Sequence, residues 1–318
     1  MVDWKEGETT RNYILRRLLA IIPILIGISF LAFFLISISP SDPAEVALRV
    51  GGITPTFEAV ETMRSELGLD KPFLVRYINW LADSFQGDFG NSYINKRPVL
   101  NEMSKALPAT IALAVTALII TIVVSIATGV LCAVHEGSIF DKIIRGFIFF
   151  GTAMPNFWVG LLFIWLFSVK FNIFPTSGMD GLKSVILPAI TLSLTYISTY
   201  ARLIRNNMIQ NKHENYVLYA RARGLKENTI HRHIFVNSLQ SSLTALGMSI
   251  PKLIAGTVIV ENIFAWPGIG RLCVTAIFNR DYPIIQAYVL LMAVLFVICN
   301  LLVDIFSAVL DPRLGQEQ

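Results

Sequence analysis

Charged residues are scarce in this chain. Asp, Glu, Lys and Arg make up 15% of its 318 residues, whereas soluble domains carry roughly a quarter. Hydrophobic residues make up 54% and cluster in long runs that contain no charge. A helix needs about 20 apolar residues to cross the bilayer core of about 30 Å. The shortage of charge therefore argues against an ordinary soluble domain and predicts an all-α integral membrane protein.

Cysteine and histidine are also rare. The three cysteines have no CxxC spacing, so we expect neither a structural disulfide nor a cysteine metal site. The histidines fall outside the predicted spans, and a His-x-His pair without a third ligand is weak evidence for a metal site. We interpret them as solvent-facing or partner-facing side chains: His135, His213, His231 and His233. No resident metal or cofactor is predicted.

A nucleotide-binding loop is missing too. No G-x-x-x-x-G-K-[ST] pattern occurs, and Gly268-x-Gly270-Arg271 lacks both the length and the lysine. The chain is therefore predicted not to hydrolyse ATP itself. If the protein moves a solute against a gradient, the energy must come from elsewhere.

About six transmembrane helices are predicted. The first apolar run, Leu18–Ser41, is too long for a signal peptide and indicates an uncleaved first span. Lys252 interrupts the fifth span and is expected to snorkel to the interface. The spans are Tyr13–Ile38, Leu107–Val134, Gly146–Val169, Val185–Leu203, Val236–Val260 and Pro283–Leu310.

Lysine and arginine concentrate in the loops between the predicted spans that lie on the same side of the membrane as the N-terminus. By the positive-inside rule both termini are predicted to be cytoplasmic. The predicted organisation is an N-terminal segment with the first span, an extracytoplasmic helical cap, a five-helix core and a cytoplasmic tail. Their bounds are 1–38, 39–106, 107–310 with a cytoplasmic loop at 202–233, and 311–318.

The cap contains helical signals. Asp42-Pro43 is typical of a turn or helix start. Apolar residues recur at helical spacing in Thr56–Leu67, and Pro72–Phe85 has the pattern of a short amphipathic helix. Gly87–Asn91 is a cluster of turn residues. We expect a small folded cap of short helices.

The loop at 202–233 holds the most informative segment. A short helix is expected to end near Gly224, with glycine as its C-cap, and small residues there permit close approach by a partner. The alternative is a surface helix that lies on the membrane. The segment is Tyr216, Val217, Leu218, Tyr219, Ala220, Arg221, Ala222, Arg223, Gly224 and Leu225.

This segment resembles the cytoplasmic loop of ABC-importer permeases of the dipeptide, oligopeptide and nickel branch. Leu218 stands where the general pattern has Glu, and Gln240 stands where this branch commonly has Pro. Further similar motifs follow in the same order along almost the whole chain: residues 67–72, 87–92, 107–110, 154–158, 175–178, 187–188, 261–270, 280–283 and 311–313.

The resemblance implies the ABC type I importer permease fold in the inner membrane of a bacterium. It also implies several partners: a second homologous permease subunit, two cytoplasmic ATPase subunits and an extracytoplasmic substrate-binding protein. The chain would then be a transport subunit and not an enzyme, and ATP and Mg²⁺ would be used by the partner subunits. The segment 216–225 would be the coupling helix that the ATPases grip, and ATP binding would drive alternating access. No nucleic-acid partner is expected.

The cargo expected from the resemblance is nickel, free or chelated. Residues 154–158 and 278–286 look closest to nickel-import permeases. Metallophore and dipeptide or oligopeptide permeases share most of these motifs and stay open as alternatives. Candidate pore residues are polar or soft groups within spans: Met154, Asn156, Met248, Ser249, Lys252, Met292 and Asn300.

Three other functions compete with an ABC permease. An ion-coupled secondary transporter needs intramembrane carboxylates, and the one candidate, Asp304, sits at the end of a predicted span. A membrane enzyme needs a constellation of catalytic side chains at membrane depth, and no histidine is predicted there. A structural scaffold does not explain the loop at 202–233.

Overall fold

The computed structural model describes residues 10–38 and 42–310, and of these only the backbone is described at 10–18, 240, 241, 304 and 306–310. The predicted tail 311–318 and positions 1–9 and 39–41 lie outside the described residues. Within this part the fold is all-α, as predicted. The helices are α1 (Thr10–Ser37), α2 (Pro43–Val50), α3 (Phe57–Glu66), α4 (Phe73–Phe85), α5 (Val99–Val134), α6 (Ile139–Ala153), α7 (Asn156–Phe163), α8 (Leu182–Lys212), α9 (Asn215–Ala222), α10 (Glu227–Gly247), α11 (Ile250–Ile263), α12 (Ile269–Asn279) and α13 (Tyr282–Leu310).

Among the described residues, four helices are long and apolar enough to cross a membrane: α1, α5, α8 and α13. Two further helix pairs, α6 with α7 and α10 with α11, pass the same test together but are sharply bent. The number of candidate spans in the described residues is six if each bent pair counts as one. The prediction of about six spans therefore agrees with the structure, although two of them are broken.

The segment predicted as the third span is not one straight helix. α6 and α7, the latter continued by a π-helical segment at Ile164–Lys170, meet at an angle of 109°. Proline lacks an N–H and clashes with the preceding turn, so Pro155 ends α6. It also restricts Met154 to an extended conformation, with φ −90° and ψ 134°.

The fifth predicted span is also broken. α10 ends at Gly247, α11 begins at Ile250, and the two helices are bent by 53°. Pro251 occupies the first turn of α11, where its missing N–H costs nothing. The helix break thus lies at Met248–Ser249, three residues before Lys252, the residue that interrupts the apolar run in the sequence.

The structure divides into two compact units. The first contains 111–266 and the described residues from 299 onward, and the second contains 10–38, 42–110 and 267–298. Helices α5 and α13 contribute to both. The division predicted from the sequence, with a cap at 39–106 and a core at 107–310, stays a prediction.

Helix α8 is the centre of the first unit. It contacts α6, α7, α10 and α11. Small residues permit some of these close approaches: a Cβ at Gly151 of α6 would collide with the Ser198 hydroxyl of α8. Tyr200 adds a hydrogen bond of 3.0 Å from its hydroxyl to the Ala245 carbonyl of α10.

The second unit holds the short helices expected for the cap. Asp42 caps α2 and Thr56 caps α3 through side-chain hydrogen bonds to backbone N–H groups, which satisfies donors that a helix start leaves free. Arg64 donates from Nε and Nη2 to the same Asp42 oxygen, at 3.1 and 2.9 Å. These contacts join α2 to α3, and the predicted helices at 56–67 and 72–85 are confirmed as α3 and α4.

Aromatic rings fix α4 against α1. The buried Tyr77 hydroxyl lies 2.9 Å from Ser29 Oγ, and its ring packs edge-on against Phe30 at 5.2 Å between centroids. Phe33 packs against both Phe73 and Trp80. Aromatic pairs of this kind add to the free energy of area burial, so α4 is tied to the first candidate span.

Candidate functional site

The segment 216–225 forms the helix that its sequence predicts. α9 covers Asn215–Ala222, between α8 and α10. Gly224 has φ +73°, its N–H donates to Arg221 O at 2.9 Å, and the Leu225 N–H donates to Ala220 O at 3.2 Å. These two bonds are those of a Schellman motif, which favours glycine at the left-handed position. The predicted glycine C-cap is confirmed.

One face of α9 is anchored in a hydrophobic cluster of the first unit. Val217 is 1% exposed. Its neighbours come from α5, α8 and α10, and Tyr216 and Ala220 pack half-buried against the same cluster: Ala133, Ile204, Met208, Ile230 and Ile234. The Tyr216 hydroxyl also lies 3.3 Å from Asn211 Oδ1. α9 is therefore held by side chains of three long helices.

The opposite face of α9 is open and partly apolar. Leu218 is 68% exposed and Tyr219 is 71% exposed. Ala222 lies four residues after Leu218 and is also exposed, so the three side chains share one face. We call Leu218, Tyr219 and Ala222 the outer face of α9. Exposed apolar side chains that lie together in this way are typical of a surface that contacts another protein.

The two faces divide the ten predicted coupling residues. Ala220 belongs to the packed face, so a bulky charge there would disturb the hydrophobic cluster rather than only the exposed surface. Arg221, Arg223 and Leu225 are exposed, and Arg221 Nε lies 3.1 Å from Glu227 Oε1 at the start of α10. A role for these residues in coupling stays a prediction.

A buried ion pair next to this cluster was missed from the sequence. Arg205 of α8 donates from Nε and Nη2 to the two carboxylate oxygens of Asp141 in α6, both at 2.8 Å. The Gly137 N–H donates to Oδ2 at 3.1 Å, and Arg145 Nε lies 3.6 Å from the same oxygen. The Asp141 side chain is 0% exposed and that of Arg205 14%.

This pair fixes the first turn of α6 against α8. Two-pronged guanidinium–carboxylate pairs are stronger and more directional than single ionic hydrogen bonds. Arg205 directly follows Ile204, which belongs to the hydrophobic cluster that holds Val217. The sequence signal was present: Asp141 is an acidic residue in a segment otherwise rich in basic residues, next to Lys142 and Arg145.

The predicted pore residues lie mainly at the two helix breaks. Met154 and Asn156 flank Pro155 between α6 and α7, and both are half-buried. Asn156 Oδ1 accepts a hydrogen bond of 2.7 Å from Thr195 Oγ1 of α8. A polar group fixed in this way at a break in a candidate span is compatible with a place beside a solute path.

The second break carries three more of these residues. Met248 is 55% exposed, whereas Ser249 is buried and donates to Leu246 O at 2.7 Å. Lys252 is exposed on α11. α7 and α11, which follow the two breaks, contact each other, so the breaks belong to neighbouring helices. Met292 and Asn300 lie half-buried on α13, and a pore role for all seven stays a prediction.

The second unit has its own concave feature. A cleft of about 880 Å³ is bounded by α4, the loop 86–98 and the start of α13. Asp281 is fully buried beside it and accepts hydrogen bonds from Ser92 Oγ and, at 3.0 Å, from the Tyr93 N–H. Burial raises the pKa of Tyr93 to about 12. These contacts fix the loop wall of the cleft.

Comparison with known proteins assigns the family. Residues 125–316 match the family described as binding-protein-dependent transport system inner membrane component, and residues 10–114 match its N-terminal counterpart. The metal-staphylopine import system permease protein CntB of Staphylococcus aureus (strain NCTC 8325 / PS 47) is 40% identical over 96% of this chain and 98% of its own.

Two other relatives carry peptide-transport names. The oligopeptide transport system permease protein AppB of Bacillus subtilis (strain 168) is 38% identical over 95% of this chain and 98% of its own. A putative peptide transport system permease of Brucella abortus (strain 2308) is 39% identical over 94% and 98%.

A solved structure supports the fold. The structure titled as an amino acid ABC transporter with histidines aligns with a TM-score of 0.51 and 17% identity, over 65% of this chain and 93% of that one. The matches to family models and relatives extend over both the candidate spans and the segment 216–225. The chain belongs to the binding-protein-dependent transport system inner membrane components, the permease subunits of ABC importers.

Proposed function

We propose that this chain forms half of the translocation pore of an ATP-driven importer, with α9 as the helix through which partner ATPase subunits act. The observation that carries the proposal is the two-sided character of α9. Val217 is anchored among α5, α8 and α10, while Leu218 and Tyr219 are open. A force applied to the outer face is therefore transmitted to three long helices at once.

The assembly consists of two permease subunits, two ATPase subunits and an extracytoplasmic binding protein. α9 lies on the cytoplasmic side, and the helical cap predicted at 39–106 faces the binding protein. Both termini are cytoplasmic in this arrangement. The basic residues near α9 support this orientation, because short cytoplasmic segments carry an excess of lysine and arginine.

Nickel, free or chelated, is the cargo that the sequence motifs favour. The relatives' names favour a chelate or a peptide: CntB is named for metal-staphylopine import and AppB for oligopeptide transport. Among the described residues, no group of three His, Cys, Asp or Glu side chains is placed to hold a metal ion. A metal bound to its chelator is therefore our first choice, with peptide as the alternative.

Purification of the assembly through a tag on this chain tests the proposal. We expect the ATPase subunits to co-purify from native membranes, and Tyr219→Glu to abolish this. Tyr219→Phe is the matched control, because it keeps the ring and adds no charge. Uptake into liposomes by this chain alone, without a nucleotide-hydrolysing subunit, would contradict the proposal.

The cargo is tested separately by the binding protein that belongs to this permease. Mass spectrometry of the molecule it retains after gentle purification distinguishes bare nickel, a metal chelate and a peptide. A retained peptide without metal would refute a metal cargo and leave the importer assignment intact.

A further inference from the structure

One face of α8 is open and polar. From Thr195 to the end of the helix, the residues on this face are half-buried or exposed, whereas Thr191 and Leu192, one turn earlier, are 0% exposed. The spacing of four, three, four and four residues places them on one side of the helix, over about 22 Å. We call this set the polar stripe: Thr195, Thr199, Arg202, Asn206 and Gln210.

The stripe differs from the surfaces suited to lipid. Neighbouring helices of the same unit expose apolar side chains, such as Val123 of α5 and Phe147 and Phe149 of α6. Polar groups, and above all charges, are costly in hydrocarbon and usually face a cavity or a partner. α8 is otherwise enclosed by α6, α7, α10 and α11. An open polar face on such a central helix therefore indicates contact with water.

One contact connects the stripe to a residue already discussed. At its start, Thr195 Oγ1 donates to Asn156 Oδ1, so the stripe begins at the break between α6 and α7. Its charged member, Arg202, is exposed. No ion pair or hydrogen bond joins the Arg202 side chain to another described residue, in contrast to Arg205, which is bound to Asp141.

We propose that the polar stripe is this chain's wall of the water-filled translocation path, and that Arg202 selects cargo that bears a carboxylate. A guanidinium is permanently charged and matches a carboxylate with two parallel hydrogen bonds. Its field attracts a peptide terminus or the carboxylate arm of a metal chelate and repels a bare divalent cation. The inference rests on the proposed function, since a second permease is needed to close the path.

Cysteine reactivity in the assembled complex tests both parts. The three native cysteines are replaced by alanine, and single cysteines are introduced by Thr195→Cys, Thr199→Cys, Asn206→Cys and Gln210→Cys. Membrane-impermeant methanethiosulfonates, one anionic and one cationic, are applied to inside-out vesicles at low ionic strength. Val123→Cys and Phe149→Cys are controls at lipid-suited positions. We expect all stripe positions to react and neither control to react.

The electrostatic part is measured with Thr199→Cys, one turn from Arg202. We expect the anionic reagent to react faster than the cationic one. Arg202→Gln should slow the anionic reagent and speed the cationic reagent by roughly threefold each, so the ratio of the two rates falls by about tenfold. These factors follow from Coulomb's law for charges about 6 Å apart in water. Arg202→Lys keeps the charge and should keep the ratio.

Several outcomes overturn the inference. Unreactive stripe positions would place this face against lipid or protein. In that case Arg202 would pair with a phospholipid phosphate or a protein group instead of facing water. A rate ratio unchanged by Arg202→Gln would remove the selective role of the charge. Co-purification and ATP hydrolysis are measured on the same preparations. If both persist while the stripe is unreactive, the importer assignment stands and the inference fails; if no ATPase co-purifies, the proposed function itself fails.

Discussion

The anchoring of α9 by Val217 gives the sharpest prediction. Val217→Ala removes apolar groups from a side chain that is 1% exposed. Burial contributes about 0.8 kcal/mol for each such group, and the cavity left behind raises the cost to about 2–3 kcal/mol. An isolated eight-residue helix is unstable in water, so the order of α9 depends on this anchor.

Hydrogen–deuterium exchange of the α9 amides in the purified assembly measures the effect. Exchange through local opening reports its free energy. Since 1.4 kcal/mol is a factor of ten, a loss of 2 kcal/mol accelerates exchange roughly 30-fold. Leu218→Ala, on the outer face, is the matched control: it should leave α9 exchange unchanged and weaken ATPase co-purification. Equal exchange in Val217→Ala and the wild type would refute the anchoring argument.

Three further predictions follow from other contacts. Asp141→Asn leaves the Arg205 charge without its partner and should lower the free energy of unfolding by about 3 kcal/mol. The measurement is the melting temperature, which should fall in Asp141→Asn and recover in part in the double variant Asp141→Arg, Arg205→Asp. Gly224→Asp should lower the free energy of local opening of α9 by about 1 kcal/mol because φ is positive at this position. Gly224→Asn should lower it by less, and amide hydrogen exchange measures both. Because the pKa of Tyr93 is raised from 10.0 to about 12, the native state keeps the phenol proton at pH values where the unfolded state has lost it. The free energy of unfolding therefore falls as pH rises from about 10 to 12. In Tyr93→Phe, the melting temperature should depend less on pH over this range.

The local elements were predictable because their signals are local. Thr56 and Asp42 are helix-capping residues next to amphipathic or proline-started segments, and they cap α3 and α2. Gly224 lies just after a helical pattern and ends α9. In each case the hydrogen bonds join residues a few positions apart, so the sequence contains both partners side by side.

The features beyond reach of the sequence depend on residues far apart in the chain. Proline marks the position of the α6–α7 break but not its angle of 109°, which depends on packing against α8. Asp141 and Arg205 are 64 residues apart, and nothing local identifies either as the other's partner. The assignment of Val217 to the packed face and Leu218 to the open one likewise required the positions of α5, α8 and α10.

The length of α8 has a mechanical consequence. Its 31 residues extend about 46 Å, whereas the hydrocarbon core is about 30 Å thick. α8 is therefore about 16 Å longer than the hydrocarbon core is thick, so it can cross the core and still project beyond it. In the coupling arrangement proposed above, a motor protein that pushes on α9 would tilt a rod long enough to cross the whole hydrocarbon core.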